Sequence, residues 1–253
     1  MKDVQAYYDD FSTTYDRGRD RGYHAHIDDL EAACVRRRMR GGRVLELGCG
    51  TGLVLERVRG FAPGASGADL SLGMLKRARA RGLAVSQASA LALPYRDASL
   101  DLVYSFKVLP HVERLDVALA EVSRVLAPGG VALLEFYNPV SLRGLWKKLR
   151  WWKAPVGAGS HDREVYTAYH TPEAARDVVR EAGLEAGGAC GIVLLTPHPF
   201  AHRVPLLGAI LRGCERALAE SPLARWAGFY VVIARRPAAV MTAAAASAGE
   251  ERA

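Results

Sequence analysis

Glu46, Gly48, Gly50, Gly52 and Asp69 are the residues whose types and spacing point most directly to chemistry. The stretch Val44-Leu45-Glu46-Leu47-Gly48-Cys49-Gly50-Thr51-Gly52 reads as a buried strand running into a glycine-rich turn and then a helix. Glycines in such a turn let the backbone approach a ligand more closely than any Cβ permits. A second stretch, Gly67-Ala68-Asp69-Leu70-Ser71, reads as another strand ending in a carboxylate, 23 residues after Glu46. At that spacing a βαβ unit sets an acid over a ribose held at the turn. Together the two stretches describe an adenosine-type cofactor site at the carboxyl edge of a parallel sheet.

Two cofactor classes fit such a site. A nicotinamide dehydrogenase usually shows Gly-x-Gly-x-x-Gly after an all-apolar strand, because a pyrophosphate sits on the helix N-terminus. Here the spacing is Gly48-x-Gly50-x-Gly52, and Glu46 lies two residues before the first glycine. A carboxylate there opposes a pyrophosphate and favours a cation, such as the sulfonium and ammonium groups of S-adenosylmethionine. Leu45-Glu46-Leu47-Gly48-Cys49-Gly50-Thr51-Gly52 closely resembles motif I of the class I S-adenosylmethionine-dependent methyltransferases, and Gly67 to Ser71 resembles their motif II.

The middle of the chain resembles the same family. Ala88-Ser89-Ala90-Leu91-Ala92-Leu93-Pro94-Tyr95 stands where many members have Gly-Asp-Ala-Glu-x-Leu-Pro-Phe. In them the aspartate accepts a hydrogen bond from the adenine amino group; Ser89 replaces it here with a hydroxyl, an acceptor without charge assistance. Ser105 to Val112 resembles the segment after strand four, and Arg124 to Gly130 the turn before strand five. The resemblance covers about residues 43 to 136. It implies S-adenosyl-L-methionine as cofactor, bound by Tyr15, Glu46, Gly48, Cys49, Gly50, Gly52, Asp69, Leu70, Met74, Ser89, Ala90, Leu91 and Ser105. Two alternatives stay open: a cofactor-binding regulatory or scaffolding protein that transfers no methyl group, and a nicotinamide-dependent oxidoreductase.

Methyl transfer asks the protein mainly to align an acceptor and exclude water. A general base helps when the acceptor must lose a proton early. His111 is the candidate, because it follows strand four at the sheet edge where ligands bind. His24, His26, His161, His170, His198 and His202 lie in segments that could cover the pocket. Tyr7, Tyr8, Phe11 and Tyr15 form an aromatic arm, and a pair like Tyr15-Asp16 lies over the cofactor in related enzymes; packing of an N-terminal helix explains the same residues. The pattern resembles the quinone and natural-product methyltransferases, which implies a small, lipophilic acceptor. No Asn-Pro-Pro-Tyr or Asp-Pro-Pro-Tyr sequence is present, so no nucleic-acid partner is expected.

The elements that must position these residues follow from periodicity. Residues 1–40 read as a polar, tyrosine-rich arm to residue 22 and then a helix, together covering the cofactor. Strands are expected at 43–47, 65–69, around 83–87, at 100–105, from Val131 to Phe136, near 189–195 and at 228–234. Helices are expected from the glycine turn to Arg59, from the N-cap Ser71 to Arg81, over 115–126 and from Thr171-Pro172-Glu173 to Gly183. The alternation describes an α/β, doubly wound parallel sheet, and the family resemblance implies a seven-stranded Rossmann-like sheet whose last strand, fitted by Val231 to Ala234, is antiparallel. One methyltransferase domain spans 41–237, with acceptor-covering insertions at about 139–170 and 197–226, and an alanine-rich, disordered tail at 238–253.

In the first insertion, Leu142, Leu145, Trp146, Leu149 and Trp152 form one apolar helical face beside Arg143, Lys147, Lys148, Arg150 and Lys153, with no acid over 141–153. Such a helix lies at an anionic membrane surface, roofs a lipophilic pocket, or packs on its own domain. The 253 residues suffice for one substantial core, and no apolar run is long enough to span a bilayer. The N-terminus lacks a signal peptide's apolar stretch, and Cys34, Cys49, Cys190 and Cys214 show neither metal-ligand spacing nor a disulfide framework, so a cytoplasmic setting is expected. The net charge of +7 is spread over many arginines and does not choose a partner.

Overall fold

A computed structural model describes residues 4–142, 144–145, 165–196 and 199–238. Seven strands form one sheet: β1 (Val44–Leu47), β2 (Ser66–Asp69), β3 (Val85–Gln87), β4 (Leu100–Ser105), β5 (Leu126–Tyr137), β6 (Glu185–Ile192) and β7 (Phe229–Arg235). Their order is β3-β2-β1-β4-β5-β7-β6. β1 to β5 pair in parallel, and β7 runs antiparallel between β5 and β6. β1 is buried along its whole length, as expected of a central parallel strand covered on both faces.

Helices sandwich the sheet: α1 (Val4–Phe11), α2 (Gly22–Arg38), α3 (Leu53–Arg59), α4 (Leu72–Ala80), α5 (Leu115–Val125), α6 (Pro172–Glu181) and α7 (Pro205–Leu218). On one face Ile27, Leu30 and Val35 of α2 and Val54 and Leu55 of α3 pack against Val44, Tyr104 and Leu133. On the other, Leu119 and Val122 of α5 and Ala175 and Val179 of α6 pack against Leu45, Val103 and Phe136. The caps fall where the sequence puts them: Ser71 Oγ accepts from Met74 N at 3.1 Å, and Thr171 Oγ1 from Ala174 N at 3.2 Å.

Three boundaries differ from the sequence reading. The tyrosine-rich arm contains a helix, α1, because Asp9 docks it: Oδ1 accepts from Ser71 Oγ at 2.6 Å and Gly73 N at 2.7 Å. β5 starts at Leu126 rather than Val131, since Leu126 pairs with Leu100 and the ladder shifts register before Leu102 meets Val131. That slip absorbs Pro128-Gly129, with Gly129 at φ 76°, so these residues bulge the strand instead of preceding it. β6 lies earlier than expected, at Glu185–Ile192. Beyond it, Glu215 captures the N–H groups of Leu194, Leu195 and Thr196, removing them from any ladder.

The register also fixes where the insertions leave the sheet. Tyr137 at the end of β5 and Ile192 at the end of β6 both pair with Phe229 at the start of β7. Segments 138–171 and 193–228 therefore emerge at the carboxyl edge, where the glycine turn follows β1. Asn138 ties them together, donating from Nδ2 to the carbonyls of Arg225 at 2.8 Å and Ala227 at 2.9 Å. Most of the basic amphipathic stretch, including Trp146 and Trp152, and the tail from residue 239 lie outside the described residues. No helix among the described residues is long and apolar enough to cross a membrane.

Candidate functional site

The glycine turn is left-handed at every glycine: φ is 75° at Gly48, 53° at Gly50 and 85° at Gly52. At Gly48 a Cβ would run into the Val108 side chain. At Gly50 it would meet nothing, so there the backbone is open on one side to whatever occupies the cavity. The turn is braced from below by Asp69. Its Oδ2 accepts from Gly50 N and its Oδ1 from Ser71 N, both at 2.8 Å. Burial pushes the Asp69 pKa up, against the pull of these N–H groups. Each carboxylate oxygen keeps lone-pair capacity for a further donor.

A cavity of about 260 Å³ opens over the turn. Of the residues singled out from sequence, Tyr15, Gly48, Gly50, Asp69, Leu70, Met74, Ser89, Ala90, Leu91 and His111 lie on its wall. The N-terminal arm closes one side. Tyr15 is held under the Arg19 guanidinium, 4.0 Å from the ring centroid. Asp16 grips the turn itself, accepting from Thr51 Oγ1 at 2.6 Å and from Arg81 Nη2 at 3.0 Å. Ser89 faces the cavity while its Oγ already accepts from Leu91 N at 3.2 Å.

Four residues of the sequence-derived set stand behind that wall. Cys49 is buried against Gly67, whose position leaves no room for a Cβ beside the sulfur. Gly52 is the N-cap of α3 and abuts Leu83. Ser105 is wholly buried at the end of β4. Glu46 turns inward, where the Tyr104 hydroxyl donates to its Oε2 at 3.1 Å. It therefore stands behind the turn and off the cavity wall.

Other ionisable groups gather nearby. Lys107 follows β4 with φ 60°, a strained conformation for a non-glycine residue. Its N–H donates to Glu135 Oε1 at 3.0 Å, and its Nζ lies 3.2 Å from Asp28 Oδ1 and 3.0 Å from Glu31 Oε1. Burial works against the Lys107 charge, but Glu31 and Asp28 overrule it and hold the ammonium charged. Burial pushes Glu31 up to about 7 and raises Glu46 and Glu135 well above the usual carboxylate range. Both Glu31 oxygens and Glu135 Oε2 have no aligned hydrogen-bond donor. The backing of the turn thus carries several carboxyl groups that burial keeps protonated until a nearby cation favours their ionised form. It fits a cationic adenosine ligand such as S-adenosylmethionine and disfavours a pyrophosphate. Among the described residues no cluster has the make-up of a metal site.

His111 lines the same cavity, in the short 3₁₀ turn Leu109–His111 after β4. Its Nδ1 lies 2.9 Å from the Tyr166 carbonyl oxygen, which can only accept, so Nδ1 carries the proton. Nε2 is left as the basic atom, 3.4 Å from the Tyr137 hydroxyl. The Tyr8 ring stands edge-on to the imidazole, with centroids 6.5 Å apart. His26 and His202 instead stack on each other 5.2 Å apart, away from this wall. His161 and His198 lie outside the described residues. The sequence reading passed over Lys107 and Tyr137. Lys107 had a signal, a lone charge in the apolar run Phe106 to Leu109; Tyr137 had none, because its role depends on the fold.

Residues 45–134 match the protein family described as Methyltransferase domain. The chain is 35% identical over 134 residues to the malonyl-[acyl-carrier protein] O-methyltransferase of Erwinia billingiae, covering 50% of this chain and 53% of that protein. It is 42% identical over 109 residues to the demethylmenaquinone methyltransferase of Thermus thermophilus, covering 38% and 48%. The chain thus spans about half the length of the curated relatives it matches. Among solved structures, a Thermotoga maritima S-adenosylmethionine-dependent methyltransferase, described as a possible histamine N-methyltransferase, superposes with a TM-score of 0.67. That likeness covers 92% of this chain and 100% of that one at 21% identity, and it concerns the fold.

Proposed function

We propose that this chain, which belongs to the class I S-adenosylmethionine-dependent methyltransferases, catalyses methyl transfer to a small, lipophilic acceptor. The observation that carries the reading is the shared cavity: the glycine turn, Asp69 and an imidazole whose basic nitrogen is Nε2 all line it. When bound, S-adenosylmethionine supplies a methyl group on a sulfonium, which leaves without needing a proton. Gly48 and Gly50 would take its backbone-facing edge, Asp69 its ribose hydroxyls, and Leu70, Met74, Ala90 and Leu91 its adenine face. Its positive charge would favour ionisation of the buried carboxyl groups behind the turn.

The protein's own contribution is placement. Tyr8, Tyr15 and Phe106 wall the cavity with rings that exclude water. His111 Nε2 takes the proton of a hydroxyl, amine or activated carbon acid at the acceptor, while the Tyr166 carbonyl keeps the proton on Nδ1. The relatives, a demethylmenaquinone methyltransferase and a malonyl-[acyl-carrier protein] O-methyltransferase, support an organic acceptor of the quinone or carrier-bound kind.

Calorimetry with S-adenosylmethionine and with NAD tests the cofactor, and a methyl-release assay across lipophilic phenols, quinols and amines tests the acceptor. His111→Ala is expected to lower kcat by roughly a hundredfold, in the range typical of a positioned base, with cofactor affinity unchanged. NAD binding without an S-adenosylmethionine response would overturn the reading.

A further inference from the structure

Helix α7 (Pro205–Leu218) is mounted inside out. Its one acid, Glu215, is buried and accepts from Leu194 N at 2.7 Å, from Leu195 N and Thr196 N at 2.9 Å each, and from Thr196 Oγ1 at 2.9 Å. Holding Glu215 inward fixes the rotation of the helix. Gly208 and Ala219 then share its buried side, and a Cβ on Gly208 would press on the His202 carbonyl. Leu206 and Ile210 fall on the opposite side by the helical period. They are 74% and 54% exposed, with Leu207 beside them at 45%. Apolar residues that would normally line a core face outward here.

The charge along this stretch of chain is one-signed. The sequence from Val193 to Cys214 contains no Asp or Glu, and Glu215 is hidden, while Arg216 is exposed and Arg212 lies toward Gly208 on the inner side. α7 belongs to the segment that leaves the sheet at its carboxyl edge, the edge onto which the cavity opens. The other segment from that edge presents Leu142 and Leu145, 42% and 54% exposed. We infer that the outer face of α7 docks on an anionic lipid surface, with Leu206, Leu207 and Ile210 entering the interface and the exposed Arg216 reaching the headgroups. A second copy is the poorer occupant, because an isologous pair would bring two cationic, acid-free faces together. The inference deepens the proposed function by naming the phase that delivers a lipophilic acceptor. Vesicle binding can nevertheless be read with no acceptor or cofactor present, so either idea can fail alone.

The test is flotation of the full chain with phosphatidylcholine vesicles, with and without about one-third phosphatidylglycerol. The protein is expected to float with the anionic vesicles at low salt, to be released by high salt, and to stay behind with pure phosphatidylcholine. The double variant Leu206→Glu/Ile210→Glu should bind roughly tenfold more weakly or worse, and Leu206→Ala/Ile210→Ala severalfold more weakly. Both should hold S-adenosylhomocysteine with parental affinity, which certifies the fold. Absence of flotation, or flotation that the two variants leave unchanged, would overturn the inference. So would a parental dimer that dissociates in Leu206→Glu/Ile210→Glu without vesicle binding, an outcome that assigns the face to a second copy.

Discussion

Asp69 does two jobs with one carboxylate. It fastens the glycine turn through Gly50 N and the start of α4 through Ser71 N, and it presents its remaining lone pairs to the cavity. Charge-assisted hydrogen bonds contribute about 1.5–3 kcal/mol each. Asp69→Ala is therefore expected to weaken S-adenosylmethionine binding by about ten- to a hundredfold or more, measured by calorimetry on protein whose circular dichroism is unchanged. Unaltered affinity would remove Asp69 from the site. This residue was legible in the sequence because its distance from the turn is set by a βαβ unit, a local constraint. His111 was legible for the same reason, lying just beyond β4. Glu46 was legible as an acid at the turn but not in its direction, since the Tyr104 hydroxyl that draws it inward comes from another strand. Lys107 and Glu135 meet only because β4 and β5 are neighbours, and no spacing within either strand announces that contact.

At the scale of elements, the N-terminal arm shows how a segment with weak periodicity becomes structured. α1 buries none of its residues fully, so tertiary contacts decide its place. Asp9 is the anchor: the Ser71 hydroxyl, then the Gly73 N–H, hold its carboxyl below the usual carboxylate range. Gly73 leaves room for it, because a Cβ there would press on the Asp9 carbonyl. Asp9→Ala is expected to raise hydrogen exchange across 4–16 and to weaken cofactor binding severalfold, while the exchange of β1 and β4 stays as it was. Equal protection of the arm in Asp9→Ala would show that the aromatic residues hold it unaided. β1, β4 and the body of β5 were legible because each is a largely apolar run. The arm helix, the early start of β5 and the early end of β6 were not. Each is set by a partner distant in sequence: Ser71, Leu100 and Glu215.

The whole molecule carries a net charge of +7, yet the interior behind its cofactor turn is acidic. That contrast predicts how stability and binding move with pH. Glu31, pushed up to about 7 from an ordinary 4.5, keeps in the fold a proton that the unfolded chain has released. Its stabilising contribution is complete below about pH 4.5 and is lost as pH rises through 7. Glu46 and Glu135, also raised by burial, extend the loss to higher pH. His26 acts in the opposite sense. Burial, then its neighbour His202, lower it from 6.5 to about 4, so stability rises with pH across that interval. The two effects oppose each other below about pH 6.5, and above it only the carboxylates remain. The unliganded protein should thus lose several degrees of Tm between about pH 6.5 and 8, and Glu31→Gln should flatten that slope. A cationic cofactor over the turn favours the ionised carboxylates, so its binding should expel protons and tighten as pH rises through the same range. Titrations in two buffers of different ionisation heat measure the protons released. A cofactor that binds with no proton release, to a protein whose melting is flat with pH, would show that these carboxylates do not sense it.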